Sequence, residues 1–388
     1  MNIKNKKHIV RAGLLTLHPQ VYNYGGFLQE LALQDAICDL GLQCEIINYD
    51  PANELNTFSA KRNIFLLTPD KVIGKIRHVL KKREVSPVVQ ATVDTRKRAF
   101  DTYRARVLHL SHPVSYEALH NTRLPYDAIV CGSDQIWNPD YNIPAFFLDF
   151  VKENQTKVIY AASMGKSKLT VHQKKVYGSL MQGLDYISVR EKSVQEILSP
   201  LANTPIKVVL DPTLLHTKEY WCKKASVSKK EYSGYIFCYF LDLTREKADA
   251  ARRYAQKRNK KIVMIPYLHG YAEPLCEELA DILDSDVNPA DFLSLILRAD
   301  SILTDSFHAT VFSLIFQKDF WVFSRNAGSY NMNTRLDTLL SYYGMEKRMI
   351  SPKALDTADR PCMYSESNMI EEMKKHSLQF LREALETQ

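Results

Sequence analysis

Ile302-Leu303-Thr304-Asp305-Ser306-Phe307-His308-Ala309-Thr310-Val311-Phe312-Ser313-Leu314-Ile315-Phe316 holds a strand end, a helix start and a titratable ring within fifteen residues. Ser301 to Thr304 closes a β-prone run, and Asp305 and Ser306 are residue types that cap a helix N-terminus. The body that follows is almost wholly apolar, so the helix is expected to be buried. His308 falls in its first turn, beside unpaired backbone N–H groups and the positive end of a helix dipole, which together make a ready site for an anion. A histidine there can contact a phosphate and move a proton. The plainer alternative is a core histidine whose ring nitrogens are satisfied by Asp305 or a backbone carbonyl.

Upstream, the chain opens with a strand over Ile9 to Leu17. A turn-rich loop from His18 ends in Asn23-Tyr24-Gly25-Gly26, a helix covers Phe27 to Leu40, and a second strand runs from Cys44 to Asn48. That order is the opening βαβ of a parallel α/β sheet. Further strands are expected at Tyr126–Cys131, Val158–Ala161, Asp185–Val189 and Val208–Leu210. After a polar stretch a second α/β series follows: strands at Tyr235–Phe240, Lys261–Ile265, Ser301–Thr304 and Phe320–Phe323, with helices at Arg245–Arg258 and Ala290–Leu297. A last helix runs from Asn368 to Leu385 and packs back on either half. Polar and glycine residues gather after strand C-termini, where open parallel sheets bind ligands. Tyr24, Ser133, Asp134, Ser163, Arg190, Tyr239, His269, Asp305, His308 and Arg335 are expected to face that crevice.

The 388 residues exceed what one core supports, so two domains are expected, 1–215 and 216–388, with a boundary near 215–233. Apolar residues at 45% and charged residues at 24% fit a globular protein. No run approaches the length of a membrane span, and the N-terminus lacks an apolar signal core, which points to the cytoplasm. The seven cysteines have no CxxC spacing, arguing against a disulfide framework or zinc. The net charge of +7 is concentrated in a basic helical insertion at about 61–106, which holds thirteen Lys or Arg against four Asp or Glu. There Val72, Ile73, Ile76, Val79 and Leu80 alternate with basic residues as in an amphipathic helix. It is either a solvated surface helix or a peripheral contact with the inner face of a membrane. No nucleic-acid motif accompanies the charge.

Several of these loops together resemble the polysaccharide pyruvyl transferase family. The matching pieces are Tyr24-Gly25-Gly26-Phe27-Leu28-Gln29, Gly132-Ser133-Asp134-Gln135-Ile136-Trp137-Asn138-Pro139, Ala161-Ala162-Ser163-Met164-Gly165, Ser188-Val189-Arg190-Glu191-Lys192-Ser193, Asp211-Pro212-Thr213, Thr304-Asp305-Ser306-Phe307-His308 and Asn333-Thr334-Arg335. Ala309 departs from the glycine usual there. The resemblance implies an α/β fold of two Rossmann-like domains facing a central cleft, similar to GT-B glycosyltransferases. It also implies transfer of pyruvate as a ketal from phosphoenolpyruvate to a sugar of a capsule or exopolysaccharide, or of its polyprenyl-diphosphate-linked precursor. The donor would lie on the C-terminal side and the acceptor on the N-terminal side.

On that footing His308 is the expected general acid, and Asp305 or Asp134 serves as base or orients the sugar. Substrate binding falls to Arg190, Arg335, Arg325, Ser133, Ser163, Ser306, Tyr24, Gly25, Gly26 and Asn333. The donor carries a phosphate and a carboxylate, which arginine forks grip bidentately. No metal cluster is visible, so neither a cation nor another cofactor is expected. Two alternatives share the architecture: a GT-B glycosyltransferase using a nucleotide sugar, and a non-catalytic glycan-binding assembly protein.

Overall fold

The computed structural model describes residues 9–17, 22–50, 87–140, 143–166, 168–266, 273–327, 330–331, 333–358, 364 and 368–385. His269 and the amphipathic stretch from Val72 to Arg83 lie outside the described residues.

The first sheet contains β1 (Arg11–Leu15), β2 (Gln43–Ile46), β3 (Ala128–Asp134), β4 (Thr156–Ala162), β5 (Tyr186–Val189) and β6 (Ile206–Val208), in the order β2-β1-β3-β4-β5-β6. The second contains β7 (Tyr235–Tyr239), β8 (Lys261–Met264), β9 (Ile282–Leu283), β10 (Ser301–Thr304), β11 (Asp319–Phe323) and β14 (Met349–Ile350), in the order β14-β11-β10-β7-β8-β9. Every pairing within both sheets is parallel. A two-stranded antiparallel ribbon, β12 (Asn326–Ala327) and β13 (Tyr330–Asn331), stands apart.

Both faces of each sheet are covered, which explains the near-continuous apolar runs. In β7, Tyr235, Phe237 and Tyr239 enter the core shared with the first sheet, whereas Ile236 and Cys238 enter a second core on the opposite face. Each sheet reverses its winding once, between β1 and β3 in the first and between β7 and β10 in the second. Open α/β sheets bind ligands at the C-terminal ends of strands flanking such reversals. Asp134 ends β3, and His308 follows β10.

Helix starts are set by side-chain caps. Asn23 accepts from Gly26 N at 3.2 Å, so α1 (Tyr24–Cys38) begins earlier than expected and takes Tyr24, Gly25 and Gly26 into its first turn. Ser306 caps α10 (Phe307–Ile315) through Ala309 N. Asn288 and Asp291 form a reciprocal capping box at α9 (Pro289–Arg298).

Two elements lock the halves together. α2 (Pro87–Val107) is the described part of the basic segment. It is not simply a solvated face: Arg96 is buried, donates to Pro266 O at 3.1 Å and covers the Tyr24 ring. The final helix, α12 (Asn368–Leu385), returns to the first sheet. There Ser377 Oγ accepts from Leu210 N at 2.9 Å, and Phe380 meets Tyr160 and Tyr186. No helix among the described residues is long and apolar enough to cross a membrane.

Candidate active site

The site is assembled from strand ends of both sheets. Gln29 on α1 donates to Thr16 Oγ1 and accepts from Ser133 N, both at 2.9 Å, which ties the ends of β1 and β3 to the helix. Asp134 then takes φ 64 and ψ −161, a region that L-residues avoid. This turns its carboxylate towards Arg190 Nη2, 3.0 Å away at the end of β5. Arg190 Nη1 donates to Asp211 Oδ2, just beyond β6. Asp211 Oδ1 in turn accepts from Thr213 N at 3.0 Å and Thr213 Oγ1 at 2.6 Å.

The second sheet delivers His308, Arg335 and Arg325. His308 Nε2 stands 3.5 Å from Asp211 Oδ2, outside hydrogen-bond geometry. Arg335, on α11 (Thr334–Tyr342), lies 3.7 Å from Asp134 Oδ1. The Gln135 amide lies beside Arg335, and its oxygen accepts from Asn138 Nδ2 at 2.8 Å. Phe307 serves both halves: Arg190 covers its ring at 4.9 Å and Arg335 at 5.7 Å. Such contacts contribute about 0.5–2 kcal/mol each, depending on desolvation.

Burial alone would raise the Asp211 and Asp134 carboxyls. His308 and Arg190 beside Asp211, and Arg190, His308 and Arg335 around Asp134, outweigh it and hold both below the ordinary carboxylate range. Burial also works against the Arg190 cation, but Asp211, Asp134 and Glu191 over-compensate and raise its pKa. Arg335 is less well matched: burial and then the like charge of Arg190 lower its pKa to about 10, with Asp134 and Glu191 compensating only in part. Among the described residues, Nε of Arg190, Arg335 and Arg325 and Nε2 of His308 are buried without a hydrogen-bond partner. Unpaired buried polar atoms are costly, so a cluster of them is a sign of a ligand.

Some expected site residues have other work. Asp305 is fully buried and accepts from Leu241 N at 2.7 Å, Asp242 N at 3.1 Å and Lys247 Nζ at 2.8 Å, which leaves it unsuited to the role of base. The Tyr24 hydroxyl donates to Val287 O at 2.9 Å while its ring stacks on Phe292, so it joins the halves rather than facing a ligand. Ser133 Oγ donates to Ala161 O, and Ser163 Oγ donates to Glu191 Oε1 at 2.7 Å. Ser306 caps α10, Gly26 N binds the Asn23 cap, and Asn333 Oδ1 accepts from Arg325 N at 3.0 Å. Gly25 lies against the His308 ring.

Sequence reasoning passed over Asp211, Glu191, Phe307 and Gln29 as site residues. Each lies inside or beside a quoted motif, but only the fold shows that Asp211 meets Arg190 and His308. No group of three or more His, Cys, Asp or Glu side chains suited to a metal ion occurs among the described residues.

Two doubly wound parallel sheets with a cationic cluster at their facing strand ends define a GT-B-like architecture. The model of the polysaccharide pyruvyl transferase family matches residues 23–326, and the chain belongs to that family. No curated protein matches the chain. Among solved structures, the chain is similar to a UDP-N-acetylglucosamine 2-epimerase from Rickettsia bellii, at 9% identity and TM-score 0.48 over 97% of each chain. A UDP-GlcNAc 2-epimerase from Methanocaldococcus jannaschii gives 11% identity and TM-score 0.48, over 95% of this chain and 99% of that one. An E. coli heptosyltransferase gives 11% and 0.40 over 82% and 90%.

Proposed function

We propose that this transferase moves pyruvate from phosphoenolpyruvate onto two hydroxyls of one sugar, as a cyclic ketal. The observation that carries the reading is the set of unpartnered buried nitrogens on Arg190, Arg335, Arg325 and His308. Phosphoenolpyruvate carries a carboxylate and a phosphate on the same carbon, and planar guanidinium forks suit both. Asp134 and Asp211, whose carboxyls their surroundings hold below the ordinary range, keep Arg190 oriented. His308, steered by Asp211, gives its proton to the departing phosphate.

The acceptor in this reading is a sugar of a cell-surface polysaccharide or its polyprenyl-diphosphate-linked precursor. The basic segment then holds the enzyme at an anionic leaflet, each Lys or Arg that meets the surface contributing about 1 kcal/mol. Sedimentation with anionic liposomes at low salt tests that part, and a protein that stays in the supernatant refutes it.

The decisive experiment for the reaction is phosphorus NMR of the purified protein with a panel of aryl glycosides and either phosphoenolpyruvate or UDP-sugars. Inorganic phosphate together with a pyruvylated glycoside is the expected result. Nucleotide release from the UDP-sugars instead would make the enzyme a glycosyltransferase.

A further inference from the structure

One buried carboxyl in the site has no part in the reading above. Glu191 follows Arg190 at the end of β5 and is 2% exposed. Its Oε1 is held by Ser163 Oγ at 2.7 Å, whereas Oε2 is buried and has no hydrogen-bond partner among the described residues. The side chain lines a cavity of about 20 Å³ with Arg190, Asp211, Phe307, Arg335 and Tyr342. That volume holds about one water molecule, so phosphoenolpyruvate reaches Oε2 only when the lining side chains part. A single carboxyl oxygen, fixed by its twin and pointed at no partner beside two arginines, has the geometry of a group that meets a substrate.

We propose that Glu191 is the proton donor to the methylene carbon of phosphoenolpyruvate. The assignment rests on the pyruvyl-transfer reading. Glu191 passes its proton to C3, which becomes a methyl group as the C2=C3 π electrons form the new C–H bond. The oxygen of the first sugar hydroxyl adds to the electron-poor C2. The C2–O bond to phosphate then breaks, its electron pair leaving with phosphate, which takes a proton from His308. The second hydroxyl oxygen closes the ring on C2. The two protons lost by the hydroxyls restore Glu191 and His308, so one diol and one phosphoenolpyruvate give one ketal and one hydrogen phosphate.

The surroundings agree with this division of labour. Burial pushes the Glu191 carboxyl up, and Arg190, Arg335 and the Ser163 hydrogen bond offset the rise only in part, with Asp134 acting in the same direction as burial. Asp211 and Asp134 are driven the opposite way. Carboxyls of one site pushed apart in this manner are what separates acid from counter-ion in hydrolases and isomerases.

The test is Glu191→Gln, which keeps the shape and an oxygen for Ser163 but holds no acidic proton. Turnover with phosphoenolpyruvate and the best aryl glycoside is expected to fall at least about a hundredfold. The phosphoenolpyruvate dissociation constant, measured by calorimetry, is expected to stay within about threefold. Glu191→Asp, with the acid set back, should recover part of the rate. Turnover of Glu191→Gln near that of the unaltered enzyme overturns the assignment and leaves the pyruvyl-transfer reading intact. An unaltered enzyme that releases no phosphate overturns both. Infrared difference spectra of unaltered minus Glu191→Gln protein need no turnover. A protonated-carboxyl band at neutral pH is expected, and a carboxylate band alone overturns the assignment.

Discussion

Gly25 and His308 occupy one volume: a Cβ built on Gly25 would lie 2.0 Å from His308 Nδ1 and 2.4 Å from Cγ. The glycine is therefore required by proximity across the two halves rather than by its backbone angles. Gly25→Ala is predicted to push the ring off Asp211 and lower kcat by about a hundredfold, the scale of a misplacement near 1 Å. Circular dichroism should stay unchanged. A Gly25→Ala enzyme with full kcat would mean that the ring position is irrelevant to the chemistry.

His308→Gln removes the proton but keeps a side chain of similar reach. Proton transfer by a placed group contributes about 10²–10⁴ in rate, so kcat is predicted to fall by that factor while the phosphoenolpyruvate dissociation constant changes little. The pattern to look for is a loss confined to kcat. Unimpaired turnover in this variant would end the acid role.

Arg335 is a buried cation with a like-charged neighbour, so the fold holds it at some cost. Arg335→Met is predicted to weaken phosphoenolpyruvate binding at least about tenfold without lowering the melting temperature, because function rather than folding requires the charge. A clear drop in melting temperature with unchanged donor affinity would make Arg335 a structural residue.

Asp211 gives a pH prediction with a definite sign. Its folded-state pKa is depressed below the unfolded value of about 3.9, so the stability it contributes is present above that pH and is lost as pH falls. Among the described residues, Asp211→Asn leaves Arg190 with only Asp134 at ion-pair distance. Breaking a buried pair costs about 3–5 kcal/mol. Urea titrations should therefore show the full deficit at pH 7 and a shrinking one below about pH 4. A deficit of the same size at pH 7 and pH 3 would show that charge is not the cause.

Arg190→Lys separates two uses of one side chain. A point ammonium cannot bridge Asp134 and Asp211 while also presenting a fork to a ligand. Both stability and donor affinity are predicted to fall, whereas unchanged affinity in a less stable protein would confine Arg190 to structure.

The strand and helix series was legible because both periodic signals are strong in buried α/β units. Arg245–Arg258 and Asn368–Leu385 lie where their patterns place them. The two-residue strands Ile282–Leu283 and Met349–Ile350 carry no period to read. At the site, position at strand ends and the family resemblance point to Arg190, Arg335 and His308, and the fold sets all three beside Asp134 or Asp211. Asp305 misled for a physical reason: a carboxylate beside a histidine at a helix start looks like its partner, but Lys247 and two backbone N–H groups on another loop hold it instead. The carboxylate at ion-pair distance from His308 lies almost a hundred residues upstream, at Asp211, and no local pattern reports that.

The return of α12 to the first sheet makes the polypeptide a loop rather than two beads on a string. Residues 1–215 expressed alone would leave Tyr160 and Tyr186 without Phe380 and the Leu210 amide without Ser377. The remainder would carry a terminal helix with its apolar face in water. Severing the connection near residue 228 should therefore yield two fragments that are poorly soluble apart and recover both fold and activity when produced together, because the tail of one is a missing piece of the other.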